Sequence, residues 1–225
     1  MFSYFPSSTV LLTEILSSIH NGSLTRRCCS PPRSTRRSVL PLHSLLSSAA
    51  HNPADVHIIL QLIQELADYE KEPNAVEATP ESLLNTLSFA PSGFVSPENT
   101  TLSTGDPISP TRPARCLLLF TPSGEAAGMA LYFYNYSTWR AKAGIYLEDL
   151  FVRETVRGKG YGQRLLGELA KECVTMDAGR LEWSVLKWNT PSIQFYERIG
   201  AKALTEWQTM RVEREGLKEL AKRAG

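Results

Sequence analysis

The sequence that decides the fold is VRETVRGKGYGQ, residues 152–163. An apolar segment typical of a β-strand ends at Val152, and apolar residues at helical spacing begin after Gly162. Glycines at 158, 160 and 162 allow positive φ and let a ligand come close to the main chain. Free amides at the start of the helix, with Arg157 and Lys159 beside them, attract an anion. The segment therefore predicts a strand–turn–helix unit that binds a pyrophosphate, in preference to a tight turn without a ligand.

This loop differs from the two commoner phosphate-binding glycine loops. A Walker loop places Lys and then Ser or Thr after its last glycine, whereas Gln163 and Arg164 follow Gly162 here. A dinucleotide-binding loop spaces its glycines as Gly-x-Gly-x-x-Gly within a parallel βαβ unit, and the pattern predicts no such unit here. The sequence thus argues against both of those classes.

The hydrophobic pattern around the loop predicts a single mixed α/β domain. Helices are expected over 55–67, 79–87, 161–179 and 190–200 and at the charged C-terminus, with Thr190 and Pro191 capping the fourth. Strands are expected over 116–120, 128–136, 144–152, 180–187 and 203–212, the first three as an antiparallel meander, and residues 90–113 read as a loop. The apolar face of the long helix is predicted to hold Leu165, Leu166, Leu169, Ala170, Cys173 and Val174. Cys173 is therefore expected to be inert.

The sequence resembles the GNAT N-acetyltransferases, and within them the spermidine/spermine (diamine) and thialysine acetyltransferase branch. The carrying motif is Arg157-x-x-Gly160-x-Gly162 after the strand EDLFV (148–152). Further similar segments are QELADYE (64–70), YSTW (136–139), IYLED (145–149) and WNTPSIQFY (188–196). The resemblance covers roughly residues 53–215. It implies a GNAT fold, a mixed central sheet flanked by helices, over residues 52–225, behind a disordered or targeting extension over 1–51.

The resemblance implies acetyl-CoA as co-substrate, with no metal. Main-chain groups of Leu150, Phe151 and Val152 would hold its pantetheine arm, although these residues could equally form plain core strand. The pyrophosphate would bind amides of the loop next to Arg157, namely those of Gly158, Lys159, Gly160, Tyr161, Gly162 and Gln163. Asn189 and Ser192 would contribute to cofactor binding, with a helix cap and a solvated serine as their alternative roles.

Catalysis needs a neutral amine and a proton for the departing thiolate. An alkylamine with a pKa near 10.4 is neutral at about one part in 2,500 at pH 7. The four histidines lie at or before residue 57, so a carboxylate working through water is the available base. Glu148 and Asp149 are neighbours in a strand, which predicts that their side chains face opposite ways. The resemblance implies Glu148 as the residue that binds the amine and relays its proton, and Tyr196 as the general acid.

The amine site is implied to include Tyr69, Glu70, Trp139, Glu148 and Asp149. For Glu70 an exposed carboxylate at a frayed helix end is a strong alternative, and for Asp149 a strand-edge ion pair is an equal one. Trp139 could instead pack on the domain or on a second subunit. Polyamine-acetylating members carry Asp-Pro before this tryptophan, whereas the chain has Ser137 and Thr138. The missing acid favours thialysine, lysine-like amino acids or small diamines over long polyamines.

Charge and composition limit the possible partners and cellular locations of the protein. Residues 1–50 hold twelve serines, five arginines and one glutamate, which suits either a mitochondrial transit peptide or a disordered extension. The other 175 residues carry 19 basic and 22 acidic groups, which argues against a nucleic-acid partner. No apolar run is long enough to span a membrane. Four scattered cysteines favour a reduced, cytoplasmic setting, with the mitochondrion as the alternative.

The sequence leaves other functions open. A protein N-terminal or lysine acetyltransferase would share the fold, and a non-catalytic acyl-CoA-binding protein would share the cofactor loop. The family's first strand has only a degenerate counterpart at 38–43, which is the one feature favouring the non-catalytic hypothesis. The resemblance also implies a homodimer.

Overall fold

A computed structural model describes residues 53–89 and 108–224. The extension over 1–51, the degenerate strand at 38–43 and most of the predicted loop over 90–113 lie outside the described residues. The helices are α1 (Val56–Tyr69), α2 (Pro80–Thr86), α3 (Tyr161–Thr175), α4 (Thr190–Arg198) and α5 (Glu215–Ala221). The strands are β1 (Arg115–Phe120), β2 (Ala126–Ser137), β3 (Lys142–Val152) and β4 (Leu181–Trp183).

The four strands form one mixed sheet in the order β1-β2-β3-β4. Strands β1 to β3 are the predicted antiparallel meander, and β4 joins β3 in parallel. Alternating residues of β1 face opposite sides, so that Leu117 and Leu119 pack with α3 while Cys116 and Leu118 pack with α1 and α2. The sheet is therefore covered by helices on both faces, which confirms the predicted fold class.

The long helix buries a face offset from the predicted one. Leu165, Leu166, Leu169 and Cys173 are buried as expected, but Ala170 is exposed and Val174 is 82% exposed. Glu172 is buried instead, because it accepts hydrogen bonds from the hydroxyls of Tyr132 and Tyr134. A glutamate with partners of this kind is not visible in a hydrophobicity pattern.

Helix boundaries differ from the predicted ones, most clearly at the end of α3 and at the start of α4. Helix α3 ends at Thr175, before Gly179, and its chain turns at Asp177 with a φ of 52°. Asn189, and not Thr190, caps α4, with its side-chain oxygen accepting the Ser192 amide at 3.4 Å.

Of the two strands predicted near the C-terminus, one is shorter than expected and the other is absent from the described residues. Strand β4 spans only three residues, and 203–212 forms no strand. A strand requires a neighbour to satisfy its main-chain groups, and the described residues offer 203–212 none. The side chains of Leu204, Trp207 and Met210 are 66%, 73% and 83% exposed as a result.

Candidate active site

A cleft opens where β3 and β4 part. The two strands pair only from Ile145 and Leu181 to Leu147 and Trp183, and β3 runs on to Val152 without β4 beside it. The main chain of β3 beyond Leu147 therefore offers a strand edge to a cleft of about 1000 Å³. An extended ligand arm can pair with such an edge as an added strand does.

The structure brings sixteen of the eighteen predicted site residues to this cleft. They are Tyr69, Glu70, Glu148, Asp149, Leu150, Phe151, Val152, Arg157, Gly158, Gly160, Tyr161, Gly162, Gln163, Asn189, Ser192 and Tyr196. Lys159 is exposed in the glycine loop but does not line the cleft. Trp139 lies in the turn between β2 and β3, 91% exposed, and lines no part of the cleft. It therefore does not pack on its own domain.

The glycine loop has a backbone that only glycine adopts easily. Gly158 and Gly160 have φ of 77° and 84°, and Gly160 is the N-cap of α3. No atom stands within 4 Å of where a Cβ would be at either position, so the backbone conformation itself calls for glycine. The first amides of α3 follow directly, and such amides have no partner within their own helix. This geometry fits the diphosphate of a nucleotide thioester.

Arg157 is held at the wall of the cleft. Its Nε donates a hydrogen bond of 2.9 Å to the Val152 carbonyl. Its guanidinium lies 4.7 Å from the ring centroid of Tyr69 and 5.8 Å from that of Phe151. A cation beside the loop adds to the attraction for an anion there.

Asn189 joins α4 to α1 across the cleft. It is buried, and besides capping α4 its Oδ1 accepts a hydrogen bond of 3.0 Å from the Tyr69 hydroxyl. The capping role weighed for Asn189 is therefore real, and its position in the cleft keeps it a candidate for cofactor binding.

A β-bulge places both acidic residues of β3 in the cleft. Leu131 pairs with Asp149 and Tyr132 pairs with Leu147, which leaves Glu148 as the extra residue of β3. The expectation that the two side chains face opposite ways rested on regular alternation, and the bulge interrupts that alternation. Glu148 and Asp149 consequently line the same cleft, with Glu148 the more exposed.

The carboxylates of the cleft act on each other. Burial, and then the charges of Glu148 and Glu70, raise the pKa of Asp149 to about 6. Burial also raises the pKa of Glu70. An acidic cluster that resists full ionisation favours a cationic ligand, because the ligand's charge relieves the repulsion. We call Glu70, Glu148 and Asp149 the acidic cluster.

Tyr196 stands beside this cluster on α4. Its ring packs against Trp183 at 5.0 Å and Phe195 at 5.3 Å between centroids. Burial, followed by the Glu70 charge and Tyr69, raises the pKa of Tyr196 to about 12. The phenol is thus protonated at neutral pH, which is the state a general acid needs.

The sequence did not single out several residues that line the cleft. They are Leu66, Ser184, Val185, Leu186, Pro191, Phe195, Arg198 and Ile199. Those after β4 could have been found from the rule that ligands bind beyond the carboxyl ends of parallel strands. Phe195 reaches to 3.6 Å from where a Gly162 Cβ would stand, a contact that depends on the packing of α3 against α4.

Comparison with known proteins identifies the family. The family description "Acetyltransferase (GNAT) family" matches residues 82–201. The L-ornithine N5-acetyltransferase of Arabidopsis thaliana is 32% identical over 195 residues, which cover 76% of this chain and 85% of the relative. The thialysine N-epsilon-acetyltransferase of Bos taurus is 32% identical over 167 residues, covering 72% and 89%. An integron cassette protein from the V. cholerae mobile metagenome has the same fold, with a TM-score of 0.57, 24% identity and coverage of 77% and 95%.

The chain belongs to the GNAT acetyltransferase family, in the branch that includes the diamine and thialysine acetyltransferases. It is an N-acetyltransferase, which transfers an acetyl group to an amine. Enzymes of this family take that group from acetyl-CoA. Among the helices at 53–89 and 108–224, none is long and apolar enough to cross a bilayer.

Proposed function

We propose that the protein acetylates a primary amine of a small diamine or of a thialysine-like amino acid, with acetyl-CoA and the amine bound together. One observation carries this: the acidic cluster opens into the same cleft as the glycine loop. An anion site and a cation site thus share one cavity, as direct transfer from a nucleotide thioester to an amine requires.

The glycine-loop half of the cleft is proposed to bind acetyl-CoA. The amides from Gly158 to Gln163, with Arg157 beside them, would hold the diphosphate. The open edge of β3 from Leu150 to Val152 would pair with the pantetheine arm. Asn189 and Ser192, at the start of α4, line the same half.

The acidic cluster is proposed to bind the amine and to take its proton. Glu70, Glu148 and Asp149 attract an ammonium group, and a second ammonium of the same substrate would find a further carboxylate. With a pKa of about 6, Asp149 is largely ionised at pH 7 and still basic enough to accept a proton through water. Glu148 shares this role in our proposal, since the bulge brings both into the cleft.

The chemical step is proposed as attack by the neutral amine on the thioester carbonyl. The new C–N bond forms, the C–S bond breaks, and the sulfur leaves with the electron pair of that bond. Tyr196 donates its proton to the leaving thiolate, and the proton lost by the amine passes to the acidic cluster. The described residues that line the cleft include neither Cys nor His, and no covalent acyl-enzyme is part of the proposal.

A homodimer is also part of the proposal. The segment over 201–214 exposes four large apolar side chains, Leu204, Trp207, Met210 and Val212, and β4 is a three-residue edge strand. A concentration of exposed apolar side chains in one segment is a feature of interaction surfaces. Light scattering on the native chain and on a Trp207→Ser/Met210→Ser variant tests this, with a dimer expected only for the native chain.

A CoA-release assay over a panel of amines tests the catalytic proposal. The panel holds 1,3-diaminopropane, 1,4-diaminobutane, ornithine, lysine, thialysine, spermidine, and peptides with free N-termini or lysines. We expect turnover of diamines or of the diamino acids to exceed that of peptides by at least about tenfold. Preference for the peptides would overturn the substrate class, and the Tyr196→Phe variant run in parallel separates enzymatic release from background hydrolysis.

A further inference from the structure

One tyrosine contacts both halves of the proposed site. Tyr69 is the last residue of α1, and Glu70 of the acidic cluster follows it directly. Its hydroxyl donates to Asn189 at 3.0 Å, and its ring lies 4.7 Å below the Arg157 guanidinium. Asn189 and Arg157 both belong to the half of the cleft proposed to bind acetyl-CoA. Through Tyr69, ligand binding in one half of the cleft can therefore affect the other half.

The contact with Arg157 occupies a cation-binding surface. The face of a tyrosine ring attracts ammonium and guanidinium groups. In the structure Arg157 is the cation on that face, and the acidic cluster lines the same cleft, with Glu70 directly after Tyr69. A substrate ammonium that reaches the acidic cluster thus finds the face of the Tyr69 ring already occupied by Arg157.

A diphosphate in the glycine loop competes for the same guanidinium. Arg157 immediately precedes Gly158, and a charge-assisted contact with a phosphate is stronger than a contact with an aromatic ring. Among the described residues, the partner of its Nε is a main-chain carbonyl, that of Val152, and the ring contacts come in addition. A bound diphosphate therefore draws Arg157 from the ring.

We propose, on the basis of the function proposed above, that Arg157 holds the place of the substrate ammonium on the Tyr69 ring until acetyl-CoA draws it away. Binding of the first substrate then prepares the aromatic face for the second. Tyr69 is a positioning residue for this coupling. Because coupling between two sites is reciprocal, the amine strengthens CoA binding by the same factor.

Calorimetric titration tests the coupling without turnover. 1,4-Diaminobutane, spermidine and thialysine are each titrated into the free protein and into the protein saturated with CoA, which carries the diphosphate but no acetyl group. We expect CoA to lower the Kd of at least one amine by about fivefold or more. An equal Kd with and without CoA overturns the inference.

Two substitutions at Tyr69 separate its ring from its hydroxyl. Tyr69→Phe keeps the aromatic face and loses only the bond to Asn189, so the coupling should persist. Tyr69→Leu removes the face, and the amine Kd should become the same with and without CoA. Tyr136→Leu, at a tyrosine 60% exposed outside the cleft, is the matched control and should keep the coupling. Persistence of the coupling in Tyr69→Leu overturns the inference.

A third substitution should increase the affinity for the amine, a result that a misfolded variant cannot give. Arg157→Gln removes the competing cation, so the Kd of the amine for the free protein should fall toward the value measured for the CoA complex of the native chain. An unchanged or weaker affinity counts against the inference. If CoA does not bind the native protein at all, the proposed function fails as well, whereas CoA binding without coupling removes only this inference.

Discussion

The two halves of the cleft are built in different ways. The half proposed for acetyl-CoA uses mainly main-chain groups, from the open edge of β3 and the glycine loop that caps α3. The half proposed for the amine uses side chains from three separate elements: Glu70 after α1, Glu148 and Asp149 in the β3 bulge, and Tyr196 on α4. The first half depends on backbone shape and tolerates changes of side chain, whereas the second half depends on single functional groups.

The largest effect is expected at Tyr196, because its hydroxyl is proposed to act in the chemical step and not in CoA binding. Tyr196→Phe should lower kcat by about 100-fold or more, because the thiolate loses its proton donor. The Kd of CoA should stay within about twofold, since the main-chain half is untouched. Steady-state kinetics and CoA titration measure the two quantities, with Tyr136→Phe as a control that retains full activity. A kcat within threefold of the native value would remove Tyr196 from the mechanism.

Asp149 is expected to show the next effect, through the pH dependence of the reaction. Its pKa of about 6 means that kcat/KM should fall about tenfold for each pH unit below 6, as the proton acceptor becomes protonated. Asp149→Asn should lower kcat/KM at pH 7 by up to about 100-fold and abolish this acid limb. Glu148→Gln is the matched comparison at the more exposed neighbour. If Glu148→Gln, and not Asp149→Asn, removes the acid limb, the proton passes to Glu148.

The difference between the halves also explains which parts of the site could be predicted from the sequence. Gly158, Gly160 and Arg157 stand within a few residues of each other, and the loop geometry proposed to bind the diphosphate follows from local backbone preferences. The first three strands were predicted for the same reason, since each shows its own pattern of apolar residues. Interactions between neighbours in the chain thus carried the prediction of the fold and of the anion site.

The amine half depends on contacts between distant parts of the chain. The bulge at Glu148 exists only relative to the pairing partners Leu131 and Tyr132, so a regular strand was the natural expectation. The hydrogen bond from Tyr69 to Asn189 joins residues 120 positions apart. Glu172 was likewise missed on α3, because its two tyrosine partners come from β2. Resemblance to a family implied that Glu70 and Asp149 belong to an amine site, but only the structure shows that they line one cleft.

A smaller effect on stability is expected from the burial of Asp149, to which the charges of Glu148 and Glu70 add. The folded-state pKa of Asp149, about 6, lies above its unfolded value near 3.9, so its ionised form destabilises the fold above pH 6. This cost disappears as the pH falls below 4, where Asp149 is protonated in both states. Asp149→Asn should therefore raise the free energy of unfolding by about 2 kcal/mol at pH 7, and by almost nothing at pH 3.5. Urea unfolding at the two pH values measures this, and equal stabilisation at both would show that the charge is not its cause.

The smallest effect is expected in the main-chain half, from a substitution that adds one methyl group to the glycine loop. Gly160→Ala adds a Cβ into open space but must keep a φ of 84°, which costs about 1 kcal/mol of stability. Gly167→Ala, within α3, also meets no atom within 4 Å, and there alanine should stabilise the helix by up to about 1 kcal/mol. Urea unfolding should give opposite signs for the two variants, and CoA titration should show weaker binding only for Gly160→Ala. Native affinity for CoA in Gly160→Ala would contradict the placement of the diphosphate on this loop, because the added methyl group stands in the space that the loop leaves open for the ligand.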